Sequence, residues 1–461
     1  MDLQDLQTEI AKDRMLLRLS ELAKRGNVPF FLVGGYLRDL WLGTKRKDYD
    51  FTLPPEACFF ISTIERIFRL HCFKAGKGKT ITYRVMKEDF SMDISVFQGE
   101  DIVQDLHRRD FTVNALAFSL RDWTWHWTEG ALEDIRNRRI CTVSNRSIDQ
   151  DPLRMLRAIR YASTLADFVI DGHLREEIRT KREQILGVPA ERIRMEMDRI
   201  LLGPRPSFGM EILYETGLLL VLIPELKRLE NLTQGKYHHL PALSHTLTAI
   251  EKISPAIEWA RSKEAAISVS ENDTLCLLYA ILFHDIGKQD TYSTDEEGEI
   301  HFYHHQVFSC QAARRIMQRF RFSNLMCEKV LRLIRNHMKI LTLPREAKES
   351  VLRRLVHEIG EEILLLVIHT LADKEANRRV FSCEKDEMVE HHCLHLLALF
   401  RQKEVINLPV LITGRDVMAM GYQQGPKVGE ILNHIRRRQV EGAIKTREEA
   451  LTLLRDKFGL K

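Results

Sequence analysis

Three aspartates in the first quarter of the chain have the types and spacing needed to hold a divalent cation. Asp48 and Asp50 flank one residue in KDYDFTL, a run that alternates at strand spacing, so both side chains point to one face. Two carboxylates held together repel unless a cation lies between them. Mg²⁺ suits such a pair because it takes hard oxygen ligands and leaves room for substrate phosphates. Asp93, in the strand-like run SMDISVF, could complete a three-carboxylate site.

Groups suited to binding phosphate lie on either side of these acids. Gly34 and Gly35 stand between a predicted strand and a predicted helix, where the missing Cβ atoms let backbone N–H groups approach a triphosphate. Arg108 and Arg109, in HRRDFTVNA, supply guanidinium forks for phosphate or ribose. An isolated Asp-x-Asp is often only a solvated turn, but this combination favours a metal and nucleotide site.

A second set of candidate ligands lies in residues 240–400. It comprises His245 in LSHTL, His284 and Asp285 in LFHDIGK, His305 in FYHHQ, His337 in IRNHM and Asp373 in LADKEAN. Imidazoles with carboxylates are the ligands of transition-metal hydrolytic sites. A single core histidine is usually structural, but an adjacent His-Asp bracketed by helical histidines favours a metal site. His304 could replace His305, and the pattern leaves that choice open.

A third group of histidines has a structural interpretation. His391, His392, Cys393 and His395 lie in a Leu-rich helical stretch without a carboxylate at helical spacing. We interpret them as a helix surface.

The elements that position these residues fall into two kinds. Residues 1–28 are predicted to form one amphipathic helix that ends at Gly26, and strand patterns follow in PFFLVGG and at 80–86, 90–97 and 115–118. From Asp151 onward strand signals almost vanish, and apolar residues recur at three- and four-residue spacing. We therefore expect an α/β head followed by three helical pieces.

Composition is ordinary for a globular protein and excludes a disordered or fibrous chain. The 461 residues include 69 Lys+Arg and 65 Asp+Glu, a formal charge of +4, so any basic surface must be local. The eight cysteines form no CxxC pair, which is typical of a reducing compartment. With no signal-peptide pattern and no apolar run long enough to cross a bilayer, we expect a cytoplasmic protein without membrane partners.

Five ordered motifs between residues 30 and 225 carry a family resemblance. They are VGGYLRDLWLG with KDYDF, LHRRDFTVNALAF, GALEDIRNRRI, DPLRMLRAIRYAS and ERIRMEMDRIL. In this order they resemble class II tRNA nucleotidyltransferases and bacterial poly(A) polymerases. The resemblance implies a polymerase-β-type head with a mixed sheet, a helical neck, and template-independent addition of nucleotides to an RNA 3′ end. It also implies that Asp48 and Asp50 hold two Mg²⁺ ions, with Asp93 matching a less constant third catalytic acid.

The resemblance further implies which residues bind the nucleotide. They are Gly34, Gly35, Arg38, Arg108, Arg109, Asp110, Asn114, Asp151, Arg154, Arg157 and Arg160. A family motif Glu-Asp-x-x-Arg pairs with the incoming base, and here Asp151 accepts hydrogen bonds while Arg154 donates them. Cytosine and adenine offer the complementary pattern, whereas uracil and guanine reverse it, so CTP and ATP are the expected substrates. Surface salt bridges are the alternative role for Arg157 and Arg160.

Two departures from the family pattern bear on which nucleotides the enzyme adds. Gln150 stands where the motif has Glu, which puts fine discrimination between CTP and ATP in question. Only 14 residues, 94–107, separate Asp93 from Arg108, and the short segment resembles members that add only CC. The Gly-Arg-Arg/Lys-Phe signature of poly(A) polymerases is not seen in residues 54–80. We therefore favour tRNA as substrate and a CC-adding enzyme, over full CCA addition and a poly(A) polymerase.

The histidine set resembles the HD phosphohydrolase domain that some tRNA nucleotidyltransferases carry. By that resemblance His245, His284, Asp285 and Asp373 bind one divalent transition metal, with His305 and His337 available for a second. Such a domain could hydrolyse phosphomonoesters or 2′,3′-cyclic phosphates, or be a vestigial scaffold. A phosphohydrolase with a degenerate RNA-binding head is therefore another alternative function for the whole chain.

The last segment resembles the tail module found after such HD domains. Gly425-Pro426 would begin a helix, and a basic surface for folded RNA is predicted from Lys427, Arg436, Arg437, Arg438, Lys445 and Arg447, with a solvated helix face as the alternative. The predicted fold class is α+β: a nucleotidyltransferase head (1–145), an all-helical neck (146–235), an HD domain (236–405) and an RNA-binding tail (406–461). The oligomeric state is left open.

Overall fold

A computed structural model describes residues 2–44, 47–75, 81–87, 90–97, 99–235, 240–264, 267–377 and 384–459. The chain folds into two compact units. One comprises residues 1–200 with 212–222, and the other comprises 201–211 with 223–461. The three boundaries between the four predicted domains remain predictions.

The first half of the chain contains nine strands and twelve α-helices among its described residues. The strands are β1 (Phe31–Val33), β2 (Asp48–Leu53), β3 (Phe73–Ala75), β4 (Thr82–Met86), β5 (Ser91–Val96), β6 (Leu116–Ser119), β7 (Trp125–Trp127), β8 (Arg139–Ile140) and β9 (Val169–Ile170). The helices are α1 (Leu3–Lys12), α2 (Arg14–Arg25), α3 (Gly35–Trp41), α4 (Phe59–Phe68), α5 (Ile102–His107), α6 (Ala131–Arg136), α7 (Ser147–Gln150), α8 (Arg154–Thr164), α9 (Gly172–Lys181), α10 (Ala190–Leu201), α11 (Pro206–Glu215) and α12 (Leu218–Leu222).

Seven strands form one mixed sheet in the order β3-β4-β5-β2-β1-β6-β7. The β2–β5 pair is parallel, and the other pairs in this sheet are antiparallel. Large apolar side chains pack beneath it, with the rings of Phe30 and Phe51 stacked at 4.8 Å. The predicted mixed sheet with helices is therefore confirmed for the head.

The prediction of one helix over residues 1–28 is wrong. The helix is interrupted at Asp13, whose backbone is extended. The Asp13 carboxylate accepts hydrogen bonds from the N–H groups of Met15 and Leu16 and so caps α2. The same carboxylate accepts hydrogen bonds from the hydroxyls of Tyr49 at 2.8 Å and Tyr36 at 3.4 Å. Two aromatic side chains from the sheet region thus fix the break, which helical periodicity alone does not reveal.

The second half of the chain is mainly helical. Its helices are α13 (Ala242–Lys263), α14 (Glu271–Phe283), α15 (His305–Arg319), α16 (Asn324–Asn336), α17 (Met338–Leu341), α18 (Glu349–Ile359), α19 (Ile363–Ala376), α20 (Glu384–Arg401), α21 (Lys403–Ile406), α22 (Gly414–Met418), α23 (Pro426–Val440) and α24 (Arg447–Phe458). Helix α19 is buried along nearly its whole length and packs on α13, α14 and α20. Within the described residues, no helix is both long and apolar enough to span a membrane.

The prediction that everything after residue 146 is helical is wrong at two places. Strand β9 pairs in parallel with β8, and a hairpin forms from β10 (Tyr292–Thr294) and β11 (Ile300–Phe302). The hairpin turn is stabilised by Asp295, whose carboxylate accepts the N–H groups of Glu297 and Glu299, and by Gly298 at φ +77°. These elements are too short for periodicity to detect. Of the other described strands, β1, β2, β4, β5 and β6 overlap the predicted runs, whereas β3, β7 and β8 were not predicted. Thr80 lies outside the described residues.

Replacing Asp13 by alanine is expected to lower the free energy of unfolding by about 2 kcal/mol, because the helix cap and both tyrosine hydrogen bonds are lost. Urea denaturation monitored by circular dichroism measures the loss. Asp101→Ala is the matched control, since Asp101 caps α5 through Gln104 N–H without a described tyrosine partner. It should cost about 1 kcal/mol. Equal losses in the two variants would show that the tyrosine contacts contribute nothing.

Candidate active site

The three predicted acids meet on neighbouring strands. Asp48 and Asp50 lie on β2 and Asp93 on β5, and the parallel register places Asp50 directly opposite Asp93. All three line a cavity of about 430 Å³. Burial and then the charge of Asp93 raise the pKa of Asp50 to about 6, although Arg109 and Arg38 oppose the shift. The carboxylates are thus held together at an electrostatic cost that a divalent cation would relieve, so the residues fit Mg²⁺.

The two glycines let the backbone approach this cavity closely. Gly34 has φ +67°, and a Cβ there would lie 3.0 Å from Arg109 Nη1. A Cβ on Gly35 would lie 3.4 Å from Asp50 Oδ2. Side chains at these positions would crowd the acids and the arginine, which explains the glycine pair physically.

A buried polar network forms the cavity wall behind the carboxylates. Arg38 donates from Nε and Nη2 to Asp39 Oδ1 at 2.9 and 2.7 Å, and from Nη1 to Asn114 Oδ1 at 2.5 Å. Asn114 Nδ2 donates to Asp110 Oδ1 at 3.0 Å, and Arg157 Nη2 lies 2.6 Å from Asp110 Oδ2. Burial raises the pKa of Asp110, but Arg157 and Asn114 outweigh it and hold that pKa below its ordinary value. Asp110 therefore stays ionised and fixes both neighbours.

Tyr161 joins the wall and was not singled out from the sequence. Two guanidinium groups lie over its ring, with Arg38 Cζ at 5.0 Å and Arg160 Cζ at 4.6 Å from the centroid. Arg160 also pairs with Glu196 at 3.1 Å, so it has the salt-bridge role as well as a place in the cavity wall. The available signal for Tyr161 was its position four residues after Arg157 in RAIRYAS, on one helix face.

Arg84 is the partner that sequence reasoning missed for Asp93. It lies on β4 directly opposite Asp93, and its Nε and Nη2 donate to the two carboxylate oxygens at 2.7 Å each. This bidentate pair neutralises the third acid. Strand alternation in TITYRVM shows which face Arg84 takes, but not that β4 would pair with β5.

Three predicted nucleotide-binding residues do not line the cavity: Arg108, Asp151 and Arg154. Asp151 Oδ2 accepts from Arg192 Nη2 at 2.9 Å. Arg154 donates from Nη1 to Ser147 Oγ at 2.6 Å and from Nη2 to the Arg108 carbonyl at 2.8 Å. Arg108 contributes its backbone here, while its side chain is exposed. The other eight predicted nucleotide-binding residues line the cavity with the acids.

All six residues of the second predicted site converge in the other unit. Two groups, His245 with His284 and Asp373, and Asp285 with His305 and His337, each have ligand atoms within 4.8 Å of one another. His245 Nε2 lies 2.7 Å from Asp373 Oδ1, and His284 Nε2 lies 3.2 Å from Asp285 Oδ2. His305 rather than His304 belongs to the cluster, because His304 is exposed and precedes α15 in the left-handed conformation.

The histidine tautomers fit a metal site. Nδ1 of His284, His305 and His337 each faces a backbone carbonyl, of Ile281, Phe302 and Ile334 respectively, at 2.7–2.9 Å. A carbonyl only accepts, so Nδ1 of each ring carries a proton, and in the neutral imidazole Nε2 presents its lone pair to the cluster. His305 Nε2 and His337 Nε2 are 3.0 Å apart, a distance that requires either a proton shared between the two nitrogens or a cation bound by both. The second arrangement fits a metal site.

The charges of the cluster support the same conclusion. Burial opposes a charge on His284, but Asp285 and Asp373 raise its pKa to about 10. Burial, then the charges of His284 and His305, hold the pKa of His337 well below its ordinary value. The carboxylates thus attract positive charge that the remaining imidazoles do not supply.

Two further side chains in the cluster were not among the predicted ligands. His369, on α19, is buried with its ring 5.4 Å from that of His284, and burial followed by His284 lowers its pKa to about 3. Lys288 Nζ lies 2.6 Å from Asp285 Oδ2 and 2.5 Å from Gln234 Oε1. Helical spacing to Asp373 and Asp285 respectively was the only signal for them.

One interpretation of the C-terminal third needs correction, and the predicted basic surface stays a prediction. His392 and Cys393 are buried, so the helix-surface interpretation is wrong for them and holds for exposed His391. The predicted basic surface is largely paired. Arg437 and Arg438 contact Glu441, Arg447 contacts Asp416 and Lys427 contacts Glu430, while Arg436 donates to the carbonyls of Leu408 and Pro409.

Comparison with known proteins decides the family. The model "Poly A polymerase head domain" matches residues 30–141, "Probable RNA and SrmB- binding site of polymerase A" matches 167–229, and "tRNA nucleotidyltransferase domain 2 putative" matches 292–454. A CC-adding tRNA nucleotidyltransferase of Thermus thermophilus is 34% identical over 436 residues, 92% of each chain. The chain belongs to the tRNA nucleotidyltransferase family. An A-adding tRNA nucleotidyltransferase of Deinococcus radiodurans is 29% identical over 91% of this chain and 93% of its own length.

Solved structures of tRNA nucleotidyltransferases share the fold. The complex of a CCA-adding enzyme with CTP has a TM-score of 0.69 at 20% identity and covers 100% of this chain and 99% of its own. The Thermotoga maritima CCA-adding enzyme complexed with tRNA has a TM-score of 0.63 at 20% identity, over 98% and 97%.

Replacing Asp50 by asparagine is expected to weaken Mg²⁺ binding by about tenfold or more, because one of the converging carboxylates is lost. Isothermal titration calorimetry with Mg²⁺ measures the affinity. Asp122→Asn is the control, since Asp122 is an exposed carboxylate paired with Arg121 in the same unit. Unchanged Mg²⁺ affinity in Asp50→Asn would contradict the assignment.

Proposed function

We propose that the protein transfers CMP from CTP, or AMP from ATP, to the 3′ end of tRNA and releases pyrophosphate. The observation that carries the proposal is the set of Asp48, Asp50 and Asp93 around one cavity, in a chain that belongs to the tRNA nucleotidyltransferase family. Relatives named as CC-adding and A-adding tRNA nucleotidyltransferases support tRNA as the acceptor.

The side chains of the cavity can divide the work of an in-line displacement at the α-phosphorus. Asp48 and Asp50 would hold Mg²⁺, with Asp93 as the third acid. The chemistry such ions supply is acidification of the RNA 3′-hydroxyl and neutralisation of charge on the leaving pyrophosphate. Arg109, beside Gly34 and Asp50, is placed to bind phosphate oxygens. The Arg38–Asn114–Asp110–Arg157 network holds these side chains in the cavity wall, where they can help to position the triphosphate.

We propose the CC-adding subtype within this chemistry. Support comes from the short segment 94–107, which ends in α5, and from the CC-adding relatives of Thermus thermophilus and Synechocystis at 34% and 26% identity. A-adding, full CCA addition and poly(A) polymerase activity are the alternative outcomes.

Primer extension tests the proposal. Transcripts of one tRNA that end at the discriminator base, after one C and after CC receive labelled CTP, ATP or both, with oligo(A) as an unstructured control. We expect the protein to stop after two cytidines and to add no adenosine to the CC end. Completed CCA would overturn the subtype, and long tails on oligo(A) would favour a poly(A) polymerase.

The first control for this assay is Asp48→Asn, which should reduce incorporation by at least about 10²-fold because a ligand of the metal site is lost. If Asp48→Asn retains full incorporation, the site assignment fails. If the wild-type protein incorporates nothing while hydrolysing phosphoesters, the head is a degenerate RNA-binding module.

A second candidate function is metal-dependent phosphoester hydrolysis at the histidine cluster. The 3.0 Å approach of His305 Nε2 and His337 Nε2 carries this proposal. Asp285 and Asp373, with His245 and His284, would hold one transition-metal ion, and His305 and His337 a second. When bound, such ions supply a hydroxide near neutral pH. Lys288, beside Asp285, is placed to balance the charge of a phosphate.

Hydrolysis of p-nitrophenyl phosphate and of 2′,3′-cyclic AMP, with Mn²⁺, Co²⁺ or Ni²⁺, tests the second function. We expect Asp285→Asn to lose hydrolysis and bound metal while CTP incorporation persists, because the two sites lie in different units. Asp50→Asn is the reciprocal variant. Tight metal binding by the wild-type protein without hydrolysis of either ester would make the cluster a structural scaffold.

A further inference from the structure

The orientation of Arg154 is set by a buried serine. Ser147, at the start of α7, is fully buried, and its Oγ accepts from Arg154 Nη1 at 2.6 Å. The Ser147 carbonyl lies 3.3 Å from the same nitrogen, and Arg154 Nη2 donates to the Arg108 carbonyl at 2.8 Å. Because a guanidinium is planar, acceptors at two of its nitrogens fix both its position and its plane.

The Ser147 hydroxyl also ties Arg154 to the cavity wall. Its single proton is donated to the Asp110 carbonyl at 3.2 Å, which leaves the oxygen lone pairs to accept from Arg154. The Asp110 carboxylate holds Arg157 and Asn114 in the cavity wall. Residues 108–110 therefore contact Arg154 directly through one carbonyl and indirectly through Ser147.

The neighbouring polar side chain that could also orient Arg154 does not do so. Gln150 is exposed, and the hydrogen-bond partners of Arg154 among the described residues are Ser147 and Arg108. Asp151 is engaged with Arg192. The Ser147 hydroxyl is therefore the side-chain group that holds Arg154: its oxygen accepts from Arg154, and its proton anchors the hydroxyl to the Asp110 carbonyl.

We propose that Ser147 is a specificity-determining positioning residue: it holds Arg154 in the orientation that recognises the incoming base and couples that orientation to the nucleotide-cavity residues 108–110. The proposal rests on the proposed function and on the donation from Arg154 to the base that the family motif implies, although Arg154 does not itself line the cavity. A guanidinium free to rotate would lose its preference for an acceptor on cytosine over the N–H that uracil presents at the same ring position.

The test compares kcat/KM for CTP and for UTP on a tRNA transcript that ends at the discriminator base. We expect Ser147→Ala to lower the ratio of the two values by about tenfold, with the loss mainly in kcat/KM for CTP. The matched control is Ser20→Ala. The Ser20 hydroxyl is equally buried, donates to the Leu120 carbonyl at 2.6 Å and accepts from Trp123 Nε1 at 2.7 Å, and it does not line the cavity. It should lower thermal stability similarly and leave the ratio unchanged.

Gln150→Glu separates Ser147 from the alternative orienting side chain. We expect this variant to keep the wild-type ratio and to leave the defect of Ser147→Ala uncorrected. A wild-type ratio in Ser147→Ala, or its rescue by Gln150→Glu, would overturn the proposal. Failure of the wild-type protein to incorporate CTP would instead overturn the proposed function, so the two failures are distinguishable.

Discussion

The parallel pairing of β2 with β5 is the constraint on which the candidate active site depends. It places Asp50 and Asp93 side by side in one register position, with Asp48 two residues away on the same strand. Like charges at that spacing destabilise the folded chain unless positive charge is supplied. Neighbouring arginines supply part of this positive charge. Arg84 forms a bidentate pair with Asp93. Arg109 approaches Asp50 past Gly34, which has no Cβ atom to obstruct it. The site is therefore a balance of fixed charges into which a divalent cation and a triphosphate fit.

The histidine cluster also holds carboxylates close together, but imidazole and ammonium groups compensate their charge. Its two carboxylates are buried, and the protein compensates with the protonated form of His284 and with Lys288. Backbone carbonyls at the Nδ1 atoms hold three imidazole rings with Nε2 directed inward. Two buried carboxylates require compensating positive charge, and a bound cation would supply it in place of the proton on His284.

Sequence analysis identified the residues of the candidate site more completely than the contacts between them. The Asp-x-Asp spacing placed Asp48 and Asp50 on one strand face, and eight of the eleven predicted nucleotide-binding residues line the cavity. What could not be predicted depends on pairings between distant segments. Arg84 becomes the partner of Asp93 only because β4 pairs with β5. The helix break at Asp13 involves Tyr36 and Tyr49, which lie 23 and 36 residues further along the chain. His369 and His392 are buried by helix packing, which single-helix periodicity does not specify.

Donor chemistry gives the two clusters different preferences among metal ions. The head presents carboxylate oxygens alone, which suit Mg²⁺ and leave coordination positions for phosphate. The second cluster mixes imidazole nitrogens with carboxylates, which suits first-row transition metals more than Mg²⁺. The donor sets therefore predict that Mg²⁺ prefers the head and that a first-row transition metal prefers the second cluster. Among the described residues, the two clusters share no candidate ligand.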